Sequence, residues 1–276
     1  MANFVQELLS SQVSYAAATT LREVVMVEVL ESTTNPFRGV SPVPATLPEH
    51  PEVFRQQLRH SLQVWSSENL LVVWLEVSIT RAALIPVAVE AGFTFHHAGD
   101  GYLMLTHQLE ADAYIPPYAT HYIGAGGVVL NDDRELLVVS EKYRSRRGPS
   151  YKLPGGALHQ GEHLVDGVIR EVLEETGVRA RFEALACFRH WHEYRYGKSD
   201  IYFVCRLKPL SQKISMQADE IAECLWMPVD TFLSDDGVHT FNKEIVRAAI
   251  NNPGLAPSLL DGFADDGTRE FFMPQP

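Results

Sequence analysis

Apolar and polar positions change period along the chain, and each change predicts an element. Residues 21–32, LREVVMVEVLES, read as a strand, and the Pro-rich stretch 33–51 reads as a loop. Val53, Leu58, Leu62 and Trp65 fall at helical spacing. Residues 70–79, LLVVWLEVSI, form a continuous β-rich run, as expected of a strand covered on both faces. A helix over 80–93 despite Pro86, ending at Gly92, and a strand over 102–109 complete a compact α/β unit.

The Pro116-Pro117 pair interrupts this pattern, and the domain boundary is placed near residue 118, dividing the chain into 1–118 and 119–276. Beyond it, residues 123–130 and 135–143 read as a hairpin around Asn131-Asp132-Asp133. Residues 182–194 and 199–210 read as two strands joined at Tyr196-Gly197-Lys198. A last strand turns into a helix over 222–232, and a terminal helix covers 240–251. The tail from Asn251, rich in Pro, Gly and Asp, is expected to be loose unless a partner subunit holds it.

Between these strands lies KLPGGALHQGEHLVDGVIREVLEETGV, residues 152–178. Leu164, Val165, Val168, Ile169, Val172 and Leu173 make an apolar stripe that should pack on the sheet. Glu171, Glu174 and Glu175 fall beside it in the last two turns, and Gly177 follows at the position of a left-handed cap. Like charges three and four residues apart repel, and the negative end of the helix dipole disfavours them further. Two readings offset that cost: a solvated acidic face, or a hard divalent cation bound to carboxylate oxygens.

The flanking residues favour the second. Gly156, five residues, Glu162, seven residues, then Arg170-Glu171-Val172-x-Glu174-Glu175-x-Gly177-Val178 reproduce G-x5-E-x7-R-E-U-x-E-E-x-G-U, where U is a bulky apolar residue. The segment resembles the Nudix box without a mismatch. The resemblance implies fold class α/β: a C-terminal Nudix fold, an α/β/α sandwich with a mixed sheet, after a smaller acetyltransferase-like α/β domain. It further implies Mg²⁺ or Mn²⁺ on the side chains of Glu171, Glu174 and Glu175 and on the Gly155 carbonyl, with Glu162 and Arg170 as supporting charges. Glu174 and the loop acid Glu220 are the two candidates for the base, and the alternative for Glu220 is a solvated loop acid. Arg144 and Lys152 are placed at the substrate, against the alternative of a solvated basic loop.

The layout further resembles the Nudix branch that contains a human protein encoded antisense to a fibroblast growth factor and the plant ADP-ribose/NADH pyrophosphatases. That branch implies hydrolysis of a nucleoside diphosphate derivative, ADP-ribose or NADH first, to AMP and the other phosphorylated half. Coenzyme A hydrolysis and a non-catalytic nucleotide sensor are the alternatives. Tyr151 stands where a tryptophan is often found in the branch. The N-terminal unit has no R/Q-x-x-G-x-G/A loop to cradle an acyl-coenzyme A, so dimerisation or substrate shaping is its expected role, and a homodimer the expected state.

Composition narrows the partners. The formal charge of −12 argues against a nucleic acid polymer, which needs a basic stripe. Cys187, Cys205 and Cys224 are odd in number and widely spaced, as expected of reduced thiols in a cytoplasmic protein. The start MANFVQELLSSQ lacks a basic region before an apolar run, and no segment has the roughly 20 apolar residues of a membrane span.

Overall fold

The computed structural model describes residues 27–142, 150–260 and 267–274. The chain divides into two compact units, Met1–Tyr118 and Ala119–Pro276.

In the first unit, β1 (Ser32–Thr34) and β2 (Gly39–Pro42) are followed by α1 (Pro51–Ser67), β3 (Val72–Ser78), α2 (Ile85–Glu90), β4 (Thr94–Gly99) and β5 (Tyr102–Gln108). They make a five-stranded sheet in the order β1-β2-β3-β5-β4. Phe54, Leu58 and Trp65 of α1 bury against Val73, Leu75 and Val77 of β3, the meeting of a 3.6-residue with a 2-residue period. Of the strand expected over 21–32 only Ser32 is in a strand, as the first residue of β1: residues 27–31 are not, and 21–26 lie outside the described residues. Instead β1 and β2 pair antiparallel within the expected loop, because Asn35 Oδ1 accepts from Phe37 N and Gly39 N and closes a tight turn. The helix expected over 80–93 starts only at Ile85, after a 3-10 turn. Pro86 then sits in its first turn, where a missing N–H costs nothing.

The second unit contains β6 (His121–Val129), β7 (Glu135–Glu141), β8 (Gly155–Ala157), α3 (Leu164–Thr176), β9 (Ala180–Arg195), β10 (Lys198–Pro209) and β11 (Ile221–Pro228). It closes with α4 (Val229–Ser234), α5 (Thr240–Asn251), β12 (Leu255–Pro257) and β13 (Phe272–Pro274). A six-stranded mixed sheet runs β13-β12-β9-β10-β6-β8, with β10 and β6 parallel, and β7 pairs with β11 in a second sheet. The hairpin expected from β6 and β7 forms only at its turn, where Leu130 and Leu136 make one antiparallel bridge and Asn131 N donates to Glu135 O at 3.1 Å. Asn131 Oδ1 accepts from Asp133 N and Glu135 N, which turns the chain out of the first sheet so that β7 finds β11. The β9–β10 hairpin forms as expected, with Tyr196 and Gly197 both at positive φ in the two-residue turn.

One core lies between the sheets and α4–α5, with Val128, Val138, Val204, Phe232 and Val246. The other lies under α3, with Ala125, Leu137, Val168, Val172 and Leu207. The tail is partly held: β12 and β13 add to the sheet edge beside β9.

Candidate active site

Helix α3 has no side-chain cap from its N-cap residue His163. Glu270 supplies one from 106 residues away, accepting from Leu164 N at 2.6 Å and Val165 N at 3.3 Å. A carboxylate there satisfies orphan N–H groups and the positive end of the helix dipole. At the other end, Gly177 adopts φ 72° and donates its N–H to Leu173 O at 2.8 Å, the left-handed cap expected from sequence.

The apolar stripe differs from expectation by one exchange. Leu164, Val168 and Val172 are buried, whereas Leu173 is exposed and Glu175 is buried, 3% exposed. Residue 175 is one turn on from Val172 and so continues the buried face.

Burying a carboxylate demands partners. Glu175 accepts from Gly155 N at 2.9 Å, and Lys152 Nζ lies 3.6 Å from its other oxygen. Lys152 is also bound to Glu141 at 2.5 Å, through a bridge that pairs residue 152 with Val139 of β7. Burial nevertheless pushes the Glu175 carboxyl up to about 7, opposed by Lys152 and Gly155 N–H and reinforced by the negative charges of Glu171 and Glu220.

Arg170 organises the remaining acids. Its Nε and Nη2 grip Glu162 at 2.7 and 3.0 Å, its Nη1 donates to Glu171 at 2.9 Å and Glu174 at 3.1 Å, and Nη2 also meets the Ala157 carbonyl at 3.2 Å. The planar fork suits this divided duty, which a lysine could not perform. Hydrogen bonds from Arg170 hold the Glu162 carboxyl down at about 2, against the opposing effect of burial and with help from His159 N.

Gly155 and Gly156 bring the loop onto these acids. Gly155 has φ 151°, and a Cβ there would lie 2.6 Å from Gly126 Cα. A Cβ on Gly156 would lie 2.7 Å from the Glu171 carboxyl. The Gly-Gly doublet thus lets β8 pair with β6 while the carboxyl of Glu171 rests on it.

Glu220 is exposed and stands in the loop before β11. Its carbonyl accepts from Lys142 N at 3.0 Å, and the same loop is tied to the end of α3 through Ser215 N to Thr176 O and Gln217 N to Glu175 O. Among the expected site residues, Glu162, Arg170, Glu171 and Glu174 form one cluster, and Lys152, Gly155 and Glu175 a second. Arg144 lies outside the described residues. Lys152 is committed to two carboxylates, and Tyr151 donates to Glu223 at 2.8 Å.

Among the described residues no group of three or more His, Cys, Asp or Glu side chains is arranged to hold a metal ion. The donor set still fits a hard divalent cation. Glu171 and Glu174 place carboxylate oxygens, the ligands a hard cation takes, about one positively charged nitrogen. Burial pushes the Cys205 and Cys224 thiols up to about 12 and raises Cys187 as well, the opposite of the shift that activates a thiol.

Residues 30–109 match the family described as Nudix hydrolase domain, and residues 120–249 match the NUDIX domain. Nudix hydrolase 8 of Arabidopsis thaliana is 40% identical over 84% of this chain and 66% of its own length. Nudix hydrolase 2 of the same plant is 38% identical over 79% of this chain and 78% of its own length. The human nucleoside diphosphate-linked moiety X motif 6 is 33% identical over 70% of this chain and 62% of its own length. With an unbroken box on a helix capped at both ends, and relatives matched across both units, the chain belongs to the Nudix hydrolase family.

Proposed function

We propose that this protein hydrolyses the diphosphate bond of ADP-ribose or NADH, giving AMP and the other phosphorylated half, with Mg²⁺ or Mn²⁺. The observation that carries the reading is the convergence of Glu171 and Glu174 on one cationic nitrogen beside the Gly155-Gly156 loop. Glu171, Glu174, Glu175 and the Gly155 carbonyl would hold the metal, which supplies charge neutralisation and a more acidic water when bound. Arg170 and Glu162 orient the ligand carboxylates, and second-layer contacts of this kind typically carry tenfold or greater effects. Glu220, or else Glu174, accepts the proton of the attacking water. The exposure of Glu220 and its loop's tether to the end of α3 favour Glu220.

Arg144 belongs to the substrate side of this reading. Lys152 belongs there as well, through the charge balance at Glu175. A cytoplasmic homodimer, with the first unit for dimerisation or substrate shaping, completes the proposal. The cytoplasmic part draws on three cysteines that are all unpaired. Sedimentation at micromolar concentration tests the oligomer.

Purified protein incubated with ADP-ribose, NADH, NAD, coenzyme A and nucleoside triphosphates, plus Mg²⁺ or Mn²⁺, tests the activity. Release of AMP from ADP-ribose or NADH at the highest kcat/KM is expected. Preference for coenzyme A, or turnover of nothing, overturns the assignment.

A further inference from the structure

The box accounts for Gly156 and Gly177, and Gly155 completes the doublet before it, but none of this accounts for the glycines of β6. Gly124 and Gly126 are two apart on a strand and therefore face the same side of the sheet. Directly opposite Gly124 on β10 stands Tyr202. A Cβ on Gly124 would lie 3.1 Å from the Tyr202 ring, and one on Gly126 would lie 2.7 Å from Cζ. The ring thus crosses β6 through a gap that only glycine leaves open. Its hydroxyl reaches the third strand of the row, where a Cβ on Gly155 would lie 3.0 Å from the phenol oxygen.

Phenylalanine would fill the same space. What tyrosine adds is one O–H at the backbone of the residue whose N–H binds Glu175. Tyr202 is half-buried, and a phenol so placed ordinarily bonds to a protein group, to water or to a ligand. Among the described residues none is recorded for Tyr202, whose contact there is with the Arg189 guanidinium over its ring.

Arg189 supplies a second, independent sign. It is the residue directly opposite Tyr202 on β9, so both side chains face the same side. One edge of its guanidinium is satisfied by Asp200. Its Nε is buried and has no partner, the one such side-chain atom among the described residues. Such a group costs stability unless a ligand satisfies it. Two neighbouring donors on one face, one of them reaching the Gly155 edge of the box, call for an acceptor-rich ligand.

We propose that Tyr202 is a substrate-binding residue, its hydroxyl donating a hydrogen bond to a non-bridging diphosphate oxygen held at the Gly155 edge of the box. The proposal rests on the diphosphatase reading above. Tyr202→Phe keeps the ring and removes only the donor. A hydrogen bond to a charged oxygen corresponds to roughly a tenfold to hundredfold change in affinity.

The expected result is kcat/KM for the best substrate at least about tenfold lower. The Kd for adenosine 5′-(α,β-methylene)diphosphate with Mg²⁺ weakens by a similar factor, and the urea midpoint of the metal-free protein is unchanged. Wild-type kcat/KM and Kd in the variant overturn the proposal while leaving the diphosphatase reading intact. A wild-type protein that turns over no diphosphate overturns both. A second arm uses ¹³Cζ-tyrosine labelling: the analogue with Mg²⁺ shifts the phenol resonance that Tyr202→Phe lacks, and that resonance left unshifted at saturation overturns the proposal.

Discussion

Replacing Glu162 by glutamine removes one charge and leaves size and shape almost unchanged. In the folded protein that carboxylate receives two hydrogen bonds from Arg170 and one from His159 N, and its pKa falls from an ordinary 4.5 to about 2. A shift of that size corresponds to about 3.4 kcal/mol at about 1.36 kcal/mol per pH unit. The Glu162 side chain is 14% exposed and Arg170 22%, and solvent screening reduces the figure to roughly 1–3 kcal/mol. Because the folded pKa is depressed, this stability is present above the unfolded value and is lost as pH falls through the folded one. Glutamine mimics the protonated carboxyl, so the gap between wild type and Glu162→Gln should be full above about pH 5, halved near about pH 3 and gone below about pH 2.

Urea unfolding of metal-free protein, repeated from pH 3 to pH 7 wherever both proteins fold, measures that gap. The same substitution loosens Arg170 and with it the carboxyls of Glu171 and Glu174, so turnover at pH 7 should fall by about tenfold. A stability gap that does not vary with pH, or that widens as pH falls, would refute the ionic origin assigned to this contact.

Further outcomes follow from single contacts. Glu220→Gln should lower kcat by about 10² with metal affinity little changed; an unaltered kcat in steady-state assays rejects it as the base. Glu270→Ala removes the α3 cap and should cost about 1 kcal/mol in chemical denaturation, whereas an unmoved midpoint would show that the tail does not hold the helix. Gly126→Ala forces a Cβ to 2.7 Å from Tyr202 Cζ and should destabilise by about 1–3 kcal/mol, read as a lower unfolding midpoint. Chelation with EDTA should abolish hydrolysis and Mn²⁺ should restore it, and activity that survives dialysis against chelator counts against a metal-dependent route.

What could be read from the chain divides along the range of the interactions. The box was legible because its constraints are local: Gly177 caps the helix that carries the acids, and Arg170 reaches residues one and four positions away along its own helix. The β9–β10 hairpin was legible for the same reason, since two successive positive-φ residues announce the turn. Pairings that depend on a distant segment were not. Asn131 suggested a hairpin and its turn does close with a Leu130–Leu136 bridge, but that β7 then leaves β6 for β11 is decided by a strand some eighty residues on. Glu175 looked like its neighbours Glu171 and Glu174, yet its place one turn beyond Val172 buries it, and only the fold shows that Gly155 N and Lys152 wait there. Glu270 carries no local mark as a cap. The alternation of Gly124 and Gly126 did carry a signal, because glycine inside a strand marks close approach by another group. That signal named a gap without naming its occupant. The ring that fills it, Tyr202, is seventy-eight residues away and comes into register only when β10 lies parallel to β6. Long-range pairing therefore sets the second half of the site: the box supplies acids that any sequence scan can find, and the sheet decides which neutral donors stand across from them.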